Sequence, residues 1–139
     1  MIMLVNETKY NINITALNRV VDILKVKRDI ELLIVTNEKI HKLNREFRGV
    51  DKPTDVLSFP LEEIENMPLG SIVISIDKAQ EAAIKYGHTI DEEISLLFIH
   101  GLLHLLGYDH EIDNGEMRAK EEEIIKKLSL PNSLIVRSM

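Results

Sequence analysis

The sequence has no cysteine and no tryptophan, and only three phenylalanines and three tyrosines. Without thiols it can form no disulfide, no thiolate nucleophile and no cysteine-ligated metal site. So few aromatic rings argue against broad stacking of nucleobases on its surface. No apolar run approaches the roughly 18 residues of a membrane-spanning helix. Met1 to Tyr10 lacks the basic stretch and apolar segment of a secretory leader. These absences lead us to expect a soluble, cytoplasmic protein with no membrane partner. In that setting the N-x-T triplets at Asn6 and Asn13 read as chance matches.

The 139 residues suit one domain spanning 1–139, and 45% hydrophobic content is enough for an ordinary core. The net charge of −6 argues mildly against a nucleic-acid partner, but the charge is unevenly spread. Residues 1–60 carry 10 basic and 8 acidic side chains; residues 61–139 carry 7 and 15. Lys39, Lys42, Arg45, Arg48 and Lys52 stand against only Glu46 and Asp51. By itself such a cluster is a solvated helix face. Beside an active site it would be a phosphate-binding patch.

Periodicity gives alternating strands and helices. Met3–Val5, Ile30–Val35, Val56–Phe59 and Ser71–Ile76 read as strands, with Pro60 stopping the third. Helical spacing runs through Leu17, Val20, Val21 and Leu24, with Asn13 or Thr15 as cap, and again through Ile40, Leu43 and Phe47, with Asn37 as cap. A third helix, with Asp77 as its cap, runs as far as Tyr86. A fourth, Glu92–Leu106, is apolar nearly all round and ends at Gly107. The last starts near Asp113 or Asn114 and reaches about Leu128. The fold class expected is α+β: a mixed sheet, with one antiparallel pair, packed with helices.

Three of the five histidines lie within eleven residues, in the run His100-Gly101-Leu102-Leu103-His104-Leu105-Leu106-Gly107-Tyr108-Asp109-His110. Residues four apart on a helix share a face, so His100 and His104 can reach one ion. Gly107 can turn the chain so that His110 joins them. At this chain's own histidine frequency, such spacing arises by chance on the order of once in 200 chains. Three neutral imidazoles and no cysteine suit one divalent cation, Zn2+ by preference although nickel, copper and iron also accept imidazole, with a fourth position for water whose pKa on zinc falls to about 7. The spacing matches the zinc-protease signature H-E-x-x-H-x-x-G-x-x-H except at Gly101, where the protease has its glutamate base. Asp109 is a candidate either for that base or for orienting an imidazole, the second being slightly preferred. His41 and His88 fit no pattern and are expected at the surface.

The run from His100 to His110 resembles the signature of the YbeY family of bacterial endoribonucleases. Two further blocks agree: Asn44-x-x-Phe47-Arg48-x-x-Asp51-x-Pro53-Thr54-Asp55-Val56-Leu57-Ser58-Phe59-Pro60, and Leu69-Gly70-Ser71-Ile72-Val73-Ile74-Ser75. The resemblance spans essentially the whole chain. It implies a mixed four-stranded sheet with five or six helices, including a metal helix like that of zinc hydrolases. It implies zinc held by His100, His104 and His110, with Arg48 facing the metal cleft and His100 also serving catalysis. It also implies a single-strand-directed endoribonuclease of ribosomal RNA, working in 16S 3′-end maturation and ribosome quality control, with the small subunit and ribosome-associated proteins as partners. The family strand usually has aspartate where this chain has Ser71, which puts any role of that charge at the site in question.

An arginine fork can bind two phosphate oxygens and offset charge growing on them, which suits Arg48 to this chemistry. Lys39, Lys42, Arg45 and Lys52 then become candidate RNA contacts. The attacking group could be water or the RNA 2′-hydroxyl. Two other readings compete: a ribosome assembly factor with a purely structural metal, and a metal-dependent hydrolase of another substrate.

Overall fold

The β-branched runs of the sequence pair into one four-stranded sheet. In the computed structural model, which describes residues 1–61, 67–109 and 115–131, the strands are β1 (Ile2–Asn6), β2 (Ile30–Val35), β3 (Val56–Pro60) and β4 (Gly70–Ser75). Their spatial order is β1-β2-β4-β3, with only the β3–β4 pair antiparallel. The five helices among the described residues are α1 (Ile14–Ile23), α2 (Asn37–Arg48), α3 (Ile76–Tyr86), α4 (Ile90–Leu105) and α5 (Glu116–Lys127). The expected α+β class and mixed sheet are therefore what the chain adopts. None of these helices is long and apolar enough to cross a membrane.

Strand alternation divides the core between the two faces of the sheet. On one face Leu32, Ile34, Ile72 and Ile74 pack against Leu17 and Val20 of α1 and Ile94, Phe98 and Leu102 of α4. On the other, Val35, Leu57 and Val73 lie beneath Ile40 of α2. The fourth helix is apolar all round because it is enclosed: nearly every residue from Glu93 to Leu105 is buried, the two histidines excepted. It packs along β3 and β4 on one side and against α3 and α5 on others.

Several boundaries differ from the sequence reading for reasons of capping. Thr36, not Asn37, caps α2 by accepting a hydrogen bond from Lys39 N. Ser75, not Asp77, caps α3, so that helix takes Ile76 from the end of the strand. Asp77 instead accepts from Asn37 N at 2.7 Å and ties α3 to α2. Thr89 and Glu92 close a reciprocal capping box at the start of α4. Pro60 is the last residue of β3, opposite Gly70, where its missing N–H removes nothing from the ladder. Asp113 and Asn114 lie outside the described residues; α5 starts at Glu116, after Gly115. Asn13 caps α1, and Asn6 holds the turn after β1 through Tyr10 O at 2.6 Å and Thr8 N at 3.0 Å.

Candidate active site

Two imidazoles meet where the sequence spacing places them. His100 and His104 lie one turn apart on α4, with their Nε2 atoms 3.1 Å apart and ring centroids at 4.7 Å. Two nitrogens sharing one tetrahedral zinc at about 2.0–2.1 Å each would stand about 3.3 Å apart, so this pair has the spacing of two ligands. The far side of His100 is held as well: its Nδ1 lies 2.7 Å from Glu121 Oε1, on α5. A carboxylate on the far nitrogen is the usual support of a metal-bound imidazole. The donor set therefore fits a divalent cation. His110, the expected third ligand, lies outside the described residues.

The turn after α4 belongs to the same construction. Gly107 takes the left-handed conformation (φ 99°). Its N–H donates to His104 O, and Tyr108 N–H donates to Leu103 O, both at 3.0 Å. This pair of bonds closes the helix and reverses the chain. Tyr108 is thereby packed against the core edge, and Asp109 reaches the cleft.

The cleft has a volume of about 610 Å³. Arg48 from α2, Thr54 and Asp55 from the α2–β3 turn, and Val56, Ser58 and Pro60 from β3 form one part of its wall; His100, His104, Gly107, Tyr108 and Asp109 form the other. The alternation 56, 58, 60 follows from strand geometry: those side chains face α4, while Leu57 and Phe59 face α2. Ser58 Oγ donates to Gly101 O at 3.1 Å and fastens the edge strand to the histidine helix. Arg48 and the histidines thus share one cavity although 52 residues separate Arg48 from His100.

Gly101 accounts for the departure from the protease pattern. A Cβ there would lie 2.9 Å from Ile72 Cγ2 and 3.1 Å from Ser58 Oγ. This position is filled by the sheet, and a glutamate has no space in it.

The basic candidates are spread over the outer face of α2 and the following turn: Lys39, Lys42, Arg45 and Lys52 are all exposed. Asp51 pairs with His41 at 2.8 Å and with Arg45 at 4.0 Å. Asn44, buried at the base of this turn, donates to Lys52 O. The cleft lining takes in Arg48 but none of Lys39, Lys42, Arg45 and Lys52. Phe47, expected on the apolar side of α2, is instead 66% exposed and rests edge-on against Phe59.

Two residues lie beyond the sequence reading. Glu121 belongs to no motif, although it occupies a position where the inward stripe of α5 (Met117, Ile124, Ile125, Leu128) calls for an apolar residue; that interruption is the available signal. His88, expected at the surface, has a side chain only 2% exposed, 3.7 Å from the equally buried Glu93. It packs there because the α3–α4 turn folds it back over the start of α4. Ser71 faces away from α4 and donates to Glu31 Oε2 at 2.7 Å, on the α2 side of the sheet. An aspartate at that position would stand on that side too, away from the imidazoles.

The family model described as Endoribonuclease YbeY matches residues 4–129. The chain is similar to the Endoribonuclease YbeY of Nautilia profundicola, at 64% identity over 133 residues, covering 96% of this chain and 95% of that one. It is 58% identical over 140 residues to the protein of the same name from Aliarcobacter butzleri, covering 99% of each. A Thermotoga maritima protein solved in solution superposes with a TM-score of 0.65 at 32% identity, over 92% of this chain and 89% of that one.

Proposed function

The chain belongs to the endoribonuclease YbeY family, and from that premise we propose that this cleft hydrolyses or transesterifies RNA phosphodiesters, with ribosomal RNA of the small subunit as substrate. The observation that carries the reading is the joint presence of a ligand-spaced imidazole pair and Arg48 in one cavity. The arginine binds two non-bridging phosphate oxygens through its planar fork and offsets the negative charge that grows on them. Thr54, Ser58 and Tyr108 supply hydroxyls to the same wall.

We assign His100, His104 and, from the spacing, His110 as ligands of one divalent cation, zinc by preference. When bound, that cation supplies Lewis acidity and positive charge to the cleft. The charge of the wall supports the assignment. Among the described lining residues Arg48 faces two carboxylates, Asp55 and Asp109, so the formal balance without a cation is −1. A phosphodiester would be repelled from such a wall. A dipositive ion reverses the sign. Asp109 lines the cavity as a candidate proton acceptor or as the support of an imidazole, while the carboxylate 2.7 Å from His100 Nδ1 is that of Glu121.

Lys39, Lys42, Arg45 and Lys52 form the approach surface for the RNA backbone. Contact of this kind is led by phosphates and reads little sequence. Choice of the cut site then rests with the small subunit and its associated proteins, in the cytoplasm.

The test is cleavage of a single-stranded RNA by purified Arg48→Ala and His100→Ala proteins. Loss of one preorganised charge-stabilising donor costs about 100- to 1,000-fold in rate. We expect at least that loss for Arg48→Ala with an unchanged circular dichroism spectrum. Parent-like cleavage by rigorously purified variants would show that the activity lies elsewhere. Intact binding to small subunits with no nuclease activity in the parent would favour the assembly-factor reading.

A further inference from the structure

The glutamates of α5 divide sharply. Glu116 is exposed at the helix start, Glu122 pairs with Lys126, and Glu123 pairs with Lys120 and Lys127. Glu121 alone is turned inward, 4% exposed, in line with Met117, Ile124, Ile125 and Leu128. A carboxylate at a core position breaks the local pattern, and such breaks mark positions kept for something other than packing. Burial of a charge is tolerated only when it is bonded, and the bond here runs to His100 Nδ1 at 2.7 Å.

We propose that Glu121 is the positioning residue of the metal centre. A carboxylate oxygen 2.7 Å from a ring nitrogen accepts its N–H, so this contact places the His100 proton on Nδ1. The lone pair is then left on Nε2, the atom 3.1 Å from His104 Nε2. Glu121 thus fixes both the tautomer and the ring orientation that a cation requires, and it does so from a different helix. Docking of α5 and readiness of the metal site become one event. The inference rests on the metal assignment above and is independent of which substrate is cut.

Two variants separate this role from simple packing. Glu121→Gln keeps the shape and removes the acceptor-only carboxylate. Glu121→Met completes the apolar stripe. The metal-free proteins are compared by thermal unfolding, by long-range proton–nitrogen NMR of His100, and by Zn2+ affinity in competition with a chromophoric chelator. We expect metal-free Glu121→Met to unfold at the parent's temperature or above it. We expect both variants to bind Zn2+ about 10- to 100-fold more weakly, and His100 to lose its fixed Nδ1 proton. Parent-like Zn2+ affinity in Glu121→Met would overturn the proposal. So would a fall in affinity that merely accompanies loss of the metal-free fold. Weakened Zn2+ binding in the variants of a parent that cuts no RNA would uphold the positioning role and sink the nuclease reading instead.

Discussion

A methyl group at position 101 would have to push aside Ile72 Cγ2, at 2.9 Å, and Ser58 Oγ, at 3.1 Å. Overpacking of that kind costs about 1–3 kcal/mol, and here it would also strain the Ser58–Gly101 bond that closes the cleft. Urea unfolding of Gly101→Ala should therefore show a loss in that range, together with reduced cleavage. A variant as stable as the parent would mean that β3 and α4 can separate freely. The same residue shows what a spacing pattern can and cannot convey. His100 and His104 are legible because helix geometry alone puts residues four apart on one face. Gly101 is legible only as a missing base; that its place is occupied by the sheet depends on Ile72, 29 residues away, and Ser58, 43 away. Glu121 and His88 are harder still, since each is defined by a partner on another element or turn. The expectation for His110 rests on its spacing alone, since it lies outside the described residues.

Among the elements, α2 serves two neighbours. Ile40 seals the smaller core, and the outer face carries Lys39, Lys42 and Arg45 up to the cleft residue Arg48. If RNA approaches along that face, removing one cation that meets a phosphate should reduce the slope of log affinity against log salt by about 0.7 for a single strand. A Lys42→Gln, Arg45→Gln double variant should accordingly show a slope shallower by about 1.4, with the rate at saturating RNA little changed. An unaltered slope would move the approach path off α2. The helix itself follows its period, yet Phe47, which that period assigns to the core, lies mostly in solvent against Phe59. Period fixes the direction of a side chain; how far the sheet extends beneath it is set by the neighbouring strands. Cap positions shift for a related reason: Ser75 and Thr36 precede the residues that the pattern favours, and only the observed bonds to Lys78 N and Lys39 N decide between adjacent polar residues.

For the whole molecule, the sheet order β1-β2-β4-β3 brings residues 48–60, 100–109 and 121 to one region, and the alternation of strands and helices makes the α+β class readable without knowledge of that order. A cation bound by the folded protein and not by the unfolded chain stabilises it by mass action, about 4 kcal/mol at a thousandfold excess over the dissociation constant. Stripping metal with a chelator should therefore lower the unfolding temperature, and restoring Zn2+ should recover it along with RNA cleavage. Insensitivity of both to chelation would argue against a bound ion in either role. The linear order of these parts has a consequence during synthesis. The arginine wall leaves the ribosome first, the imidazoles later, and the carboxylate beside His100 Nδ1 after both. A chain that has not yet reached α5 therefore holds both cleft walls without the carboxylate that meets His100 Nδ1 at 2.7 Å.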